Sequence, residues 1–182
     1  PIVHDPNSGA GREALGIPDS EVPALAQVKF VPFRLRPGDD ASCLNLCAPQ
    51  EPRILGASHS FLAGARFSFQ NSLASTPEQR QNPWLLLESD AQDGTIPAIG
   101  DANTIQYILH LAVGRELTLL RSNQVPVRLR LVAALRDSLF QGELLISEAN
   151  FLRAFPEQEG FRFFLLDAPP ARSASLIQPL EE

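Results

Sequence analysis

Between Val125 and Leu135 the apolar side chains Val127, Leu129 and Leu131 alternate with Arg128 and Arg130. A period of two fits a strand with one face buried and the other in water. Upstream, Glu116–Leu120 is a second short run, and the polar turn Arg121-Ser122-Asn123-Gln124 separates the two. Together they read as a hairpin, so the chain builds a sheet with a core face.

The remaining segments are short and punctuated. Val28 to Arg36 (VKFVPFRLR) is strand-like, and Pro32 within it predicts an edge position or a bulge. Pro37-Gly38-Asp39-Asp40 closes that strand as a turn. Pro49, Pro52 and Gly56 exclude a long helix between residues 41 and 60. A short helix over Ser60–Gly64, a strand over Arg66–Phe69 and a polar surface loop over 71–83 are expected next. Trp84-Leu85-Leu86-Leu87 is read as a buried strand, and Ile96–Ile99 as another. Asp101 caps an expected helix over Asn103–Leu111, with Ile105, Ile108 and Leu109 on one face and Gly114 ending the region. Glu143–Ile146 is a strand, Ser147 caps a helix over Glu148–Phe155, and Pro156 stops it. Phe161–Asp167 is the last clear strand. Near the start, Arg12–Leu15 forms one helical turn stopped by Gly16, and Pro18–Glu21 begins a further short helix.

The sum is an α+β fold of many short, mostly antiparallel strands and three to four short helices. Strand and helix do not alternate regularly, which argues against a doubly wound parallel sheet. The domain layout follows the same breaks. Residues 1–26 are an irregular lead-in, 27–168 the folded body (with 27–94 and 95–168 as candidate subdomains), and 169–182 a proline-containing tail.

Composition narrows the function. The 182 residues include 15 basic and 21 acidic side chains for a net charge of −6, and no long basic run. A compact nucleic-acid binder shows a basic footprint, so that class is excluded. No stretch approaches the ~20 apolar residues of a membrane helix, and residues 1–20 carry no apolar signal-peptide core. A chain that begins at Pro1 and contains no Met reads as a segment of a longer protein.

The chemistry-bearing residues form no recognised site. His4, His59 and His110 stand far apart and outside any H-x-x-x-H or H-E-x-x-H pattern. His110, near the end of an expected helix, suits the helix dipole. Cys43 and Cys47 form Cys-Leu-Asn-Leu-Cys, which is not the C-x-x-C of redox or zinc sites. A local disulfide, two free thiols and a metal site completed from elsewhere all remain open for this pair. Gly56-Ala57-Ser58-His59-Ser60 starts like a nucleophile elbow but has Ser60 where glycine is needed. Asp39, Asp40, Asp90 and Asp93 lack the spacing of a calcium loop and read as solvated turn carboxylates. Arg128 and Arg130 are expected to pair with Asp137 or Glu143 across strands. Lys29 is the only lysine, and no phosphate-binding loop motif exists, which removes P-loop and Schiff-base chemistry.

Four segments carry a family resemblance. They are residues 33–46 (FRLRPGDDASCLNL), 83–88 (PWLLLE), 96–109 (IPAIGDANTIQYIL), and a set running from 127–132 (VRLRLV) through 138–148 (SLFQGELLISE) to 161–167 (FRFFLLD). Together they resemble the large extracytoplasmic domain of FtsX-like ABC transporter permeases, the class that includes MacB-type exporters and lipoprotein-releasing permeases. The resemblance covers 27–168, and within it the order of strand, Gly-Asp helix, hairpin, strand, Ser-capped helix and strand is similar to the family's extracytoplasmic module.

That resemblance implies a MacB-like periplasmic core fold, set in the bacterial inner membrane by flanking transmembrane helices and facing the periplasm. It implies no enzyme activity and no cofactor in this segment. It also implies a separate cytoplasmic ATP-binding subunit, a second permease subunit and an extracytoplasmic substrate or adaptor as partners. The domain would relay ATP-driven motion outward, for export or for release of a lipoprotein or lipid. For the cysteines it favours recurrence of Cys43 over Cys47, so a Cys43–Cys47 disulfide is not assumed for the family. Two other readings stand beside it: an extracytoplasmic ligand-binding or adaptor domain, and a secreted hydrolase in which Ser58 or Ser60, His59 and an Asp converge.

Overall fold

A computed structural model of the chain describes residues 7–14, 16, 28–38, 51–89, 93–121 and 123–167. The chain divides into two compact units, Pro1–Phe33 with Glu159–Glu182, and Arg34–Gln158.

In the first unit, helix α1 spans Gly9–Ala14. The Ser8 hydroxyl accepts from the Gly11 N–H at 3.0 Å, which satisfies one of the free donors of its first turn. Gly16, at φ 72°, supplies the left-handed residue that ends it, and its N–H returns to the Glu13 carbonyl. Strand β1 (Lys29–Arg36) pairs antiparallel with β8 (Phe163–Asp167) from Lys29 opposite Asp167 to Phe33 opposite Phe163. Pro32 produces no bulge there, because the register runs unbroken through Pro32 opposite Phe164. Alternate residues of an antiparallel pair direct their N–H away from the partner, so such a position tolerates proline. The Asn7 side chain acts as a piece of ladder, donating to the Phe30 carbonyl and accepting from its N–H, both at 2.9 Å. Phe33 and Phe163 meet edge to face at 5.7 Å.

The second unit holds β2 (Arg53–Ala57), α2 (His59–Ala63), β3 (Phe69–Ser72) and α3 (Pro77–Gln81). It continues with β4 (Ile96–Asp101), β5 (Glu116–Leu120), β6 (Pro126–Leu135), β7 (Glu143–Ser147) and α4 (Glu148–Ala154). Its strands run in the order β3-β6-β4-β7-β2, with β5 also on β6. β5 pairs with residues 126–130 of β6 and β3 with residues 133–135, so the two follow one another along one edge of the long strand. β4 pairs along the other edge. Of the six pairings described in the chain, four are antiparallel, and β2–β7 and β4–β6 are parallel. The fold is therefore α+β with a mostly antiparallel set of strands, as expected from the sequence.

The alternation in β6 is real and bounded. Val127, Leu129 and Leu131 are buried while Arg128 and Arg130 are exposed. From Val132 onward every residue is buried, because a bulge opposite Ala98 and Ile99 resets the register and β3 and β4 flank the strand. Helix α4 packs against β2. A Cβ on Gly56 would lie 2.8 Å from Phe151 Cγ and 2.9 Å from its Cβ, so only glycine lets the helix come this close. Leu129, Leu131, Leu144, Ile146, Phe151 and Phe155 lie within one fully buried cluster. A separate aromatic cluster gathers Phe61, Phe67, Phe69, Trp84 and Phe140, and the indole N–H of Trp84 donates to the Arg66 carbonyl at 2.5 Å.

Four expectations fail, each for a physical reason. Residues Pro83–Glu88 form a 3₁₀ turn instead of a strand. Pro83 presets its start, and the Asn82 side chain accepts from the Trp84 N–H at 3.3 Å. The strand expected over Arg66–Phe69 begins at Phe69, because Ala65 and Phe67 adopt positive φ (48° and 68°) and break the extended run. Within the expected loop 71–83, Thr76 and Gln79 form a reciprocal capping box that starts α3. Finally, Asn103–Leu111 is not an amphipathic α-helix. Thr104–Ile108 winds as a π-turn, with the Leu109 N–H reaching the Thr104 carbonyl at 3.0 Å. The wider winding leaves Ile105 buried but Ile108 47% and Tyr107 66% exposed. His110 sits at φ 53° beyond its end.

Candidate functional site

Two hollows flank helix α4 and share Ser89, Asn150 and Arg153 in their walls. The local sequence explains their placement. Ser147 ends β7 and caps α4 by accepting from the Asn150 N–H at 3.3 Å. Asn150 is buried, and its side-chain amide donates to the Leu87 carbonyl at 3.3 Å, which ties the helix to the 3₁₀ turn.

The larger hollow, about 440 Å³, lies among Ala57, His59, Glu88 and the first turns of α4. Its charges are balanced. His59 Nδ1 sits 2.6 Å from Glu88 Oε1, and the Arg34 Nε donates to Glu148 Oε1 at 2.8 Å. Its serine hydroxyls are engaged: Ser147 Oγ caps α4, and Ser89 Oγ donates to the Leu86 carbonyl at 2.6 Å. Exposed Leu152 adds an apolar lip.

The elbow-like residues sit beside this hollow but do not assemble a catalytic group. Ser58 Oγ is the N-cap of α2, accepting from the Phe61 N–H at 3.4 Å, and lies 3.0 Å from Ser60 Oγ. His59 turns to Glu88 with its side chain 78% exposed, and among the described residues no hydrogen bond joins it to either serine. Capping accounts for the serine at position 58.

The smaller hollow, about 230 Å³, is bounded by Gly94, Thr95, Ile96 and Pro97, by Arg121 and by the end of α4. The sequence reading had treated Arg121 as part of a polar turn. Nothing in its local pattern signals that β5 delivers it to Arg153, 32 residues later in the chain.

Other candidate residues resolve into structural roles. Asp93 accepts from the Thr95 N–H at 3.1 Å and hydroxyl at 2.6 Å, and these bonds, the hydroxyl first, hold its carboxyl below the usual range. Arg128 faces Glu116 at 3.8 Å and donates to the Asp93 carbonyl at 2.6 Å, not to Asp137 or Glu143. Glu143 pairs instead with Arg53, because the parallel β2–β7 register sets those two residues opposite one another. Burial pushes the Glu143 carboxyl up, against the opposing pull of Arg53, and its Oε2 is buried without a partner. Asp101 is fully buried and gathers three donors: the Asn103 N–H at 2.9 Å, the Ser138 N–H at 2.8 Å and the Ser138 hydroxyl at 2.9 Å. Cys43, Cys47, Asp39, Asp40, Asp90 and His4 lie outside the described residues. Among those described, no group of three or more His, Cys, Asp or Glu side chains is arranged to hold a metal ion. No described helix is long and apolar enough to cross a membrane.

No protein-family model and no curated protein match the chain. Solved structures similar to it include two transporter domains. One is the extracellular domain of the noncanonic ABC-type transporter YknZ from Gram-positive bacteria, at 11% identity and a TM-score of 0.44, over 88% of this chain and 76% of that one. The other is the periplasmic region of MacB from Actinobacillus actinomycetemcomitans, at 11% identity and a TM-score of 0.40, over 88% of this chain and 69% of that one.

Proposed function

We propose that the chain is the extracytoplasmic domain of an ABC transporter permease, facing the periplasmic side of a bacterial inner membrane. The carrying observation is the order of elements from residue 96 onward. It runs from strand β4, through Gly100-Asp101 and the π-turn, to the β5–β6 hairpin, β7, the Ser147-capped α4 and β8. This is the order by which the sequence resembles FtsX-like permeases.

The role is mechanical. A separate cytoplasmic subunit hydrolyses ATP, a second permease subunit completes the membrane part, and this domain passes the motion to a substrate or adaptor outside. Export, or release of a lipoprotein or lipid, is the class of work. Two features support a non-enzymatic role. Ser58, Ser89 and Ser147 are spent on caps and backbone bonds, and Glu88 and Glu148 are each engaged by a nitrogen of a neighbouring side chain.

The test uses the full gene product, reconstituted in lipid nanodiscs with the ATPase encoded beside it. Vanadate-sensitive ATP hydrolysis by a stable complex is expected. A gene product without apolar segments of ~20 residues overturns the reading, as does one that retains no ATPase.

A further inference from the structure

The smaller hollow beside α4 holds two guanidinium groups and, among the described residues, no carboxylate paired with either. Arg121 follows β5, and Arg153 stands in the last turn of α4. They meet where Arg121 Nη2 donates to the Arg153 carbonyl at 3.4 Å. The Nε of Arg121 is shut off from solvent and, among the described residues, has no hydrogen-bond partner. A buried donor on a cation is costly to leave unanswered, and a second cation beside it adds repulsion.

The neutral polar groups of the wall are already occupied. The Thr95 hydroxyl donates to Asp93, the Ser89 hydroxyl to Leu86, and the Asn150 amide to Leu87. The Asn150 amide oxygen takes one N–H of Arg153. What the hollow still offers is guanidinium donors on one side and the apolar faces of Ile96, Pro97 and Ala154 on the other.

We propose that this hollow binds a carboxylate carried on a short aliphatic body. The planar carboxylate spans Arg121 and Arg153, and a rotation of the Arg121 guanidinium toward it brings the Nε–H into the fork geometry that guanidinium groups favour. The hydrocarbon lies against Ile96 and Pro97. A phosphate ion fits less well, because it has nothing to place on the apolar wall. The site is independent of the transporter reading: it concerns what this chain binds, whatever membrane part adjoins it.

The experiment follows the arginine Nε–H signals of the 182-residue chain by ¹⁵N NMR. Butanoate, inorganic phosphate and chloride are titrated separately at matched ionic strength. A saturable shift of the Arg121 Nε–H signal is expected with butanoate, with affinity on the order of millimolar. Arg153→Gln, followed at the Arg121 Nε–H, and Arg121→Gln, followed at the Arg153 Nε–H, are each expected to weaken binding at least tenfold, as ~1.4 kcal/mol of lost charge-assisted bonding would do. Arg153 is exposed near a helix end, so its variant carries the test if Arg121→Gln fails to fold. A shift that does not saturate, that chloride or phosphate reproduces, or that survives the substitution overturns the proposal.

Discussion

Asp101 shows how one side chain can join distant parts of the chain. Its carboxylate holds both the N–H and the hydroxyl of Ser138, 37 residues away, while also bonding the Asn103 N–H. Replacing it by Ala leaves the two buried Ser138 donors without an acceptor, and Asp101→Ala is expected to cost about 2–6 kcal/mol in urea unfolding, at ~1–3 kcal/mol for each donor left unsatisfied. Glu143 behaves in the opposite way. Burial raises its folded carboxyl above the ordinary range, so the folded state holds the proton more tightly than the unfolded chain. Its contribution to stability is therefore fully present below the unfolded value and is lost as pH rises through the folded one. Glu143→Gln removes that dependence. The stability of the variant relative to the parent is expected to rise as pH climbs above the ordinary carboxylate value of 4.5, read as the shift in urea midpoint. A difference that is flat or falls over that range contradicts the assignment. The sequence disclosed Asp101 as a cap, since Asp before a helical pattern is a local signal. It did not disclose Ser138 or Arg53 as partners, because those contacts are set by strand register.

Among the elements, those with a strong local signal were legible. The β5–β6 hairpin, β7 and the Ser147-capped α4 stand where period, turn and cap residues placed them. Trp84–Leu87 misled because a short apolar run has the same composition in a buried strand and in a buried turn, and Pro83 with Asn82 decided between them. The π-turn misled for a different reason. Its spacing looks α-helical, and only the fold shows the Gly142 N–H donating to the Thr104 hydroxyl and the Ser138 N–H to Asp101, which tie down its N-terminal side. At this scale the contact between α4 and β2 is the sharpest test. Gly56→Ala drives a methyl group into the Phe151 side chain and is expected to destabilise by about 1–3 kcal/mol. Phe151→Ala empties the same contact from the other side and is expected to cost about 3–5 kcal/mol. The double variant should cost less than the sum, since the methyl then enters the space the ring vacated; full additivity by urea unfolding contradicts the packing described.

For the whole molecule, the fold class was readable while the functional surface was not. Alternation and turn chemistry sufficed for an α+β fold with mostly antiparallel strands. The hollows beside α4 depend on side chains from β2, β5, the 3₁₀ turn and α4, and no single segment announces them. The family resemblance supplied the mechanical role, in which the body of the domain moves without changing inside. Distance measurement between spin labels tests this proposal directly in the full gene product, with Cys43 and Cys47 replaced by Ser. One label pair joins Glu78 to Thr118, both exposed and both within the Arg34–Gln158 unit. A second pair joins Glu78 to the membrane-embedded part. On vanadate trapping the second distance is expected to shift while the first stays constant. A second distance that never moves, or a first distance that changes with the nucleotide state, contradicts a rigid relay.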